Sequence, residues 1–116
     1  MKKSDYLGEL KGLLGRAHPR LAQQYRLEFK NCFGAVAGYV NGNIFISYGR
    51  FGVALRLPSS ILQGLFEEID VTRLKYFQNG HIKKEYAVIP PRIIDDQSRF
   101  KELLSKSIKY ASRKIS

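Results

Sequence analysis

The dipeptide Asn41-Gly42, set between two apolar alternations, constrains the fold of this chain more than any other feature. A two-residue type I′ turn needs positive φ at both central positions, and Asn-Gly meets that need with little strain. The flanking segments, Ala35 to Val40 and Asn43 to Tyr48, therefore read as the antiparallel strands of a hairpin. The register that follows pairs Tyr39 with Ile44, Ala37 with Ile46 and Ala35 with Tyr48 on one face. With Gly49-Arg50-Phe51-Gly52 as a four-residue loop, Val53, Leu55 and Leu57 fall beside Tyr48, Ile46 and Ile44. Three strands then share one apolar face, and a slip of one residue would turn a whole set outward. The opposite face, Val36, Gly38, Phe45, Ser47, Ala54 and Arg56, is less polar than a solvated face should be. It is expected under a helix or against a second subunit, with the Phe45 ring covering Gly38.

Leu27 and Phe29 alternate with Glu28 and Lys30, which adds a strand before this meander. Residues 4–18 carry Tyr6, Leu7, Leu10, Leu13, Leu14 and Ala17 at helical spacing, with Ser4 or Asp5 as N-cap and His18-Pro19 as the stop. Gly8, Gly12 and Gly15 weaken this helix by about 1 kcal/mol each relative to alanine. Pro58 to Asp70 reads as a second helix, capped by Ser59 or Ser60, with Ile61, Leu62, Leu65, Phe66 and Ile69 buried. A second hairpin follows, with Asn79-Gly80 near its tip. A two-residue loop there would oppose Lys75 to Lys84, so an odd-length loop is expected, placing Leu74 and Tyr76 with Tyr86 and Val88. The closing helix starts at Asp95 or Asp96 and runs to about Lys114, burying Phe100, Leu103, Leu104, Ser107, Ile108, Ala111 and Ile115. The order is helix, strands, helix, hairpin, helix: an α+β fold with an antiparallel sheet meander, in one domain over residues 1–116.

Charge is the clearest compositional signal. Twenty Lys and Arg against ten Asp and Glu give a net charge of +10, a field that attracts polyanions. No apolar run reaches the roughly 18 residues a membrane helix needs, and the first residues lack a secretory pattern. With a single cysteine, Cys32, no internal disulfide can form. A cytoplasmic protein with no membrane partner is expected.

Enzymatic constellations are missing. His18 adjoins Pro19 at a helix end and His81 follows a turn, positions that structural roles explain. No metal-ligand spacing occurs. Cys32, near Lys30, reads as a small hydrophobe before a Phe33-Gly34 turn, with redox chemistry as the rival reading. Glu67 and Glu68 point apart on a helix, and Asp95-Asp96 suits a helix start. The chain is therefore read as a binding domain, not an enzyme, with no cofactor. Two basic patches are the contact candidates: Arg73, Lys75, Phe77 and Lys83 on the outer face of the second hairpin, and Arg99, Lys106, Lys109 and Arg113 on the outer face of the last helix. Cations beside an aromatic ring suit phosphate and base contact.

Cys32-Phe33-Gly34-Ala35, then Gly38-Tyr39, Asn41-Gly42 and Phe45, resemble the opening motif of the TfoX/Sxy N-terminal domain family, named for bacterial competence regulators. Val53 to Leu57 resembles the family's next strand, Tyr86 to Pro90 its aromatic strand ending in proline, and Leu103-Leu104 with Ala111 its closing helix. The likeness spans about residues 26–112. Phe33, Gly34, Gly38, Tyr39, Gly42, Phe45, Tyr86 and Pro90 carry it as structural positions. Cys32 stands where the family has methionine and Ala35 where it has a second glycine, and a stand-alone domain, without the further domain of the two-domain regulators, is expected. The resemblance implies the fold and a role in transcription regulation, on DNA or on the transcription machinery, and it carries no catalytic site. A protein-interaction or homodimerisation module built on the second sheet face is the alternative.

Overall fold

A computed structural model describes residues 5–32, 34–75 and 82–113, the Cys32 side chain excepted. Expectations placed on Ser4, Phe33, Tyr76, Phe77, Asn79-Gly80, His81, Lys114, Ile115 and the Cys32 thiol lie outside the described residues. The first helix, α1 (Tyr6–Ala17), begins where the Asp5 carboxylate accepts from the Gly8 amide at 2.9 Å. A short α2 (Leu21–Gln24), not expected from the sequence, buries Leu21. Four strands follow: β1 (Leu27–Cys32), β2 (Ala35–Val40), β3 (Asn43–Gly49) and β4 (Gly52–Arg56). Then come α3 (Ser59–Phe66), β5 (Thr72–Leu74), β6 (Lys83–Ile89), α4 (Pro91–Ile94) and α5 (Gln97–Ser112). All six strands form one sheet in the order β1-β2-β3-β4-β6-β5, every neighbouring pair antiparallel. The α+β class and the antiparallel sheet are as expected.

Both Asn41 (φ 52°) and Gly42 (φ 79°) take the left-handed conformation, as the type I′ turn demands. Tyr39 faces Ile44 as derived, but the next partners are Gly38 with Ile46, Ala37 with Ser47 and Val36 with Tyr48. Phe45 is thus one residue extra on β3, a β-bulge opposite Gly38. The expected pairs Ala37–Ile46 and Ala35–Tyr48 are therefore wrong by one residue. The turn fixed the register only as far as this irregularity.

The bulge changes which residues share a face. Phe45 and Ile46 are both fully buried, and both belong to one core with Val36, Val40, Val53 and Leu55. Of the expected second face, Val36, Val40 and Phe45 lie in the main core, with the last helix over Phe45, whereas Ser47 and Ala54 do not belong to that cluster. Ala37, Ser47 and Ala54 form a buried row of small residues outside that cluster. Gly38 is covered as expected: a Cβ there would meet Ile46 at 2.8 Å, Phe45 at 3.1 Å and Phe29 at 3.2 Å. Between β3 and β4, Tyr48–Val53 and Ile46–Leu55 pair as derived, while a Gly49–Gly52 pair shortens the loop to Arg50-Phe51.

The last helix packs on β3 through more than its apolar stripe. Ser107 Oγ donates to the Phe45 carbonyl at 2.7 Å, in full burial. Asn43 Nδ2 donates to the Ala111 carbonyl at 3.0 Å. Phe100, Leu103, Leu104, Ser107, Ile108 and Ala111 are all buried, and Asp96 caps the helix by accepting from the Arg99 amide.

The middle helix departs from expectation at both ends. Pro58 is its N-cap, with no side-chain cap bond, so Ser59 and Ser60 are helical residues and not caps. It stops at Phe66 instead of Asp70, and Ile69 is fully exposed instead of buried. The lost turn carries Glu68 and Asp70 to arginines on later helices, an arrangement a continued helix would forbid. In the second hairpin Thr72 pairs with Val88 and Arg73 with Ala87, after which the register jumps to Leu74 with Lys83. Arg73 therefore lies across from a buried alanine, and the hairpin register is irregular where a continuous ladder was expected.

Ser107→Ala leaves the Phe45 carbonyl buried without its donor, at a cost of about 1–3 kcal/mol. Chemical denaturation should show a lower midpoint with an unchanged m-value. Gly38→Ala forces a methyl into ring and side-chain contacts and should cost about 1–3 kcal/mol by the same measurement.

Candidate functional site

A node of three side chains joins the two elements that carry the candidate cations. Arg56, near the end of β4, donates from Nε to Glu85 Oε2 at 2.6 Å and from Nη1 to the Ile44 carbonyl at 3.3 Å. Its guanidinium lies 5.9 Å from the centroid of the Tyr110 ring, and the Tyr110 hydroxyl donates to Glu85 Oε1 at 3.2 Å. Glu85 sits near the start of β6 and Tyr110 in the last turns of α5. The node thereby sets Lys83 and Lys84 on β6 at the same end of the fold as Lys109 and Arg113 on α5. These four cations are exposed.

The rest of the candidate set is divided. Lys106 is exposed and pairs with Glu102 one turn earlier at 3.0 Å, a surface contact of small energetic value. Lys75 is exposed just beyond β5. The Arg73 guanidinium stacks over the Phe66 ring at 4.3 Å, which gives it a structural contact. Arg99 is not an outward cation. It is bonded through both terminal nitrogens to the two oxygens of Glu68.

Glu68 is the centre of a second node. Arg92 reaches Glu68 at 2.8 Å and grips Asp70 with bonds of 2.7 and 2.6 Å. The four groups tie the turn after α3 to α4 and α5. Hydrogen bonds from Arg99 and then Arg92 pull the Glu68 carboxyl down to about 2, and Arg92 lowers Asp70 as well. The same partners raise both guanidinium groups. The sequence showed none of this, because Arg92 and Arg99 lie 24 and 31 residues from Glu68. Glu68 is thus a structural anchor and not half of an acid/base dyad.

The motif positions act on the backbone and the core. Gly34 (φ 78°) and Gly42 turn the chain at the ends of β1 and β2. Tyr39 is half-buried beneath the Lys30 ammonium, 5.3 Å from the ring centre, and Phe45 forms the bulge. Tyr86 faces Arg56 across the sheet, and Pro90 is the buried N-cap of α4. His18 caps α1, its backbone amide donating to the Leu14 carbonyl at 2.8 Å. Burial, with Lys101 nearby, depresses its imidazole pKa. Among the described residues no three His, Cys, Asp or Glu side chains are grouped to hold a metal ion, and no helix is long and apolar enough to cross a membrane.

The Glu68 pKa lies below its ordinary value in the folded state, so its stabilising contribution is full above about 4.5 and is lost as pH falls toward about 2. Urea unfolding of wild type and Glu68→Gln across that range should show a stability gap that closes with acidification. A gap independent of pH would remove the ionic account of this node. Comparison with known proteins adds no name: no family model, curated protein or solved structure matches the chain.

Proposed function

We propose that the chain is a non-enzymatic regulatory domain that binds nucleic acid through the basic end of the fold formed by β6 and α5. The observation that carries this reading is the Arg56–Glu85–Tyr110 node, which joins the start of β6, where Lys83 and Lys84 lie, to the end of α5, where Lys109 and Arg113 lie. Rigid placement matters because phosphate contacts made by pre-positioned cations lose less conformational entropy on binding. The net charge of +10 supplies long-range attraction for a polyanion.

The resemblance of Gly34 to Phe45, Val53 to Leu57 and Tyr86 to Pro90 to the TfoX/Sxy N-terminal domain supports the regulatory half of the reading. On this reading the domain acts on DNA or on the transcription machinery. Within the candidate set, Lys83, Lys109 and Arg113 are the contact residues, with Lys84 added. Arg99 and Arg73 are structural.

Binding to duplex DNA at two salt concentrations tests this directly. Each phosphate contact contributes about −0.9 to the log–log slope. The double variant Lys109→Glu/Arg113→Glu should flatten that slope by roughly 2 while leaving the unfolding midpoint almost unchanged. Failure to bind at low salt, or an unaltered slope in the variant, rejects the proposal.

A further inference from the structure

Away from the basic end, a cleft of about 840 Å³ opens between α1, the β3–β4 turn and the junction of β6 with α4. That volume suits a small organic ligand. Its walls are largely apolar, with Tyr48, Val53, Ile89 and Ile94 prominent, and two guanidinium groups, Arg16 and Arg50, stand at its exposed margin. Two carboxylates also line it. Asp70 is held by Arg92. Glu9, exposed at the cleft, lies near Tyr48, whose hydroxyl pKa is raised by burial and then by the Glu9 charge. Arg16 and Arg50, in contrast, form no ion pair among the described residues. With Asp70 paired to Arg92, two guanidinium groups stand against the one carboxylate of Glu9, which leaves the cleft a positive balance above an apolar floor.

Two of the three glycines of α1, Gly8 and Gly12, lie in the cleft wall, while Gly15 lies outside it. Gly8 is explained by the cap, because a Cβ there would strike the Asp5 carboxylate. Gly12, one turn later and also in the cleft wall, has no such reason: a Cβ would meet only the flexible Arg16 guanidinium, at 3.2 Å. Glycine in a helix interior is unfavourable unless something must come close to the backbone. Nothing in the described chain does so at Gly12.

We propose that this cleft binds a small organic anion with a flat apolar body. The anionic group lies between Arg16 and Arg50, and the body rests on the apolar floor against the bare helix wall at Gly12. A carboxylate and a phosphate monoester share this chemistry. The site is separate from the nucleic-acid surface and does not depend on it.

Titration of the ¹⁵N-labelled full chain with phenyl phosphate, phenylacetate and neutral benzyl alcohol is the test. One or both anions should shift the Gly12, Arg50 and Gly52 amides saturably, and the tighter of the two identifies the anion class. The alcohol and the Arg16→Gln and Arg50→Gln variants should each bind about tenfold more weakly, the scale of one charged hydrogen bond. Gly12→Leu should block the site, while Gly12→Ala should raise the melting temperature and weaken binding. Wild-type affinity in Gly12→Leu or in Arg50→Gln overturns the proposal. So do anion-induced shifts that track Lys109 and Arg113 instead of the cleft, or the absence of saturable shifts. Lys109→Glu/Arg113→Glu should leave anion binding intact, so failure of the nucleic-acid reading is told apart from failure of this one.

Discussion

The bond from Ser107 to the Phe45 carbonyl is the point on which the rest of the structure turns. A bulge disrupts the strand ladder locally, and a buried backbone acceptor there needs a donor from elsewhere. The last helix supplies it, 62 residues along the chain. Because the bulge is satisfied, Phe45 and Ile46 can both enter the core, and the helix is fixed in rotation as well as position. Asn43 repeats the link one helical turn further on. The axial setting of α5 that brings Tyr110 to Glu85 depends on those two contacts.

Electrostatics divides the cations into two populations. With ten acidic residues against twenty basic ones, carboxylates are scarce. Three of them, Glu68, Asp70 and Glu85, serve three arginines that join elements distant in sequence. Arg56, Arg92 and Arg99 thus act as struts, using the planar fork that lysine lacks. The cations left outward include Lys84, Lys109 and Arg113 at one end, and Arg16 and Arg50 on the cleft. A basic composition is therefore compatible with a well-tied fold, and the binding surfaces are what remains once the struts are assigned.

Local chemistry was legible in the sequence, and distant pairing was not. Asn41-Gly42 announced its turn, and the apolar spacing of α5 marked each residue that the described helix buries. Gly38 within a strand was an available sign of a bulge, yet the hairpin register was extended past it as though the ladder were regular. Ile69 was misassigned for a related reason: periodicity assumes the helix continues, and it ends four residues early, before Glu68 and Asp70 meet their arginines. Arg99 looked solvent-facing on its helix, since nothing local points to a carboxylate on another element. The cleft escaped notice because its walls come from α1, the β3–β4 turn and the β6–α4 junction, and Gly12 read only as a weak helix position.

The two rims of the sheet are unequally guarded. At one, β5 is three residues long, too short to template another chain. At the other, β1 offers six residues whose outward backbone groups could recruit a neighbouring molecule. What discourages that is charge on the strand itself: Glu28 and Lys30 alternate with Phe29, and the Lys11 ammonium lies over the Phe29 ring at 5.6 Å. Protection of that border is thus delegated to a handful of ionic side chains, and each apolar replacement among them weakens the guard on the open backbone groups.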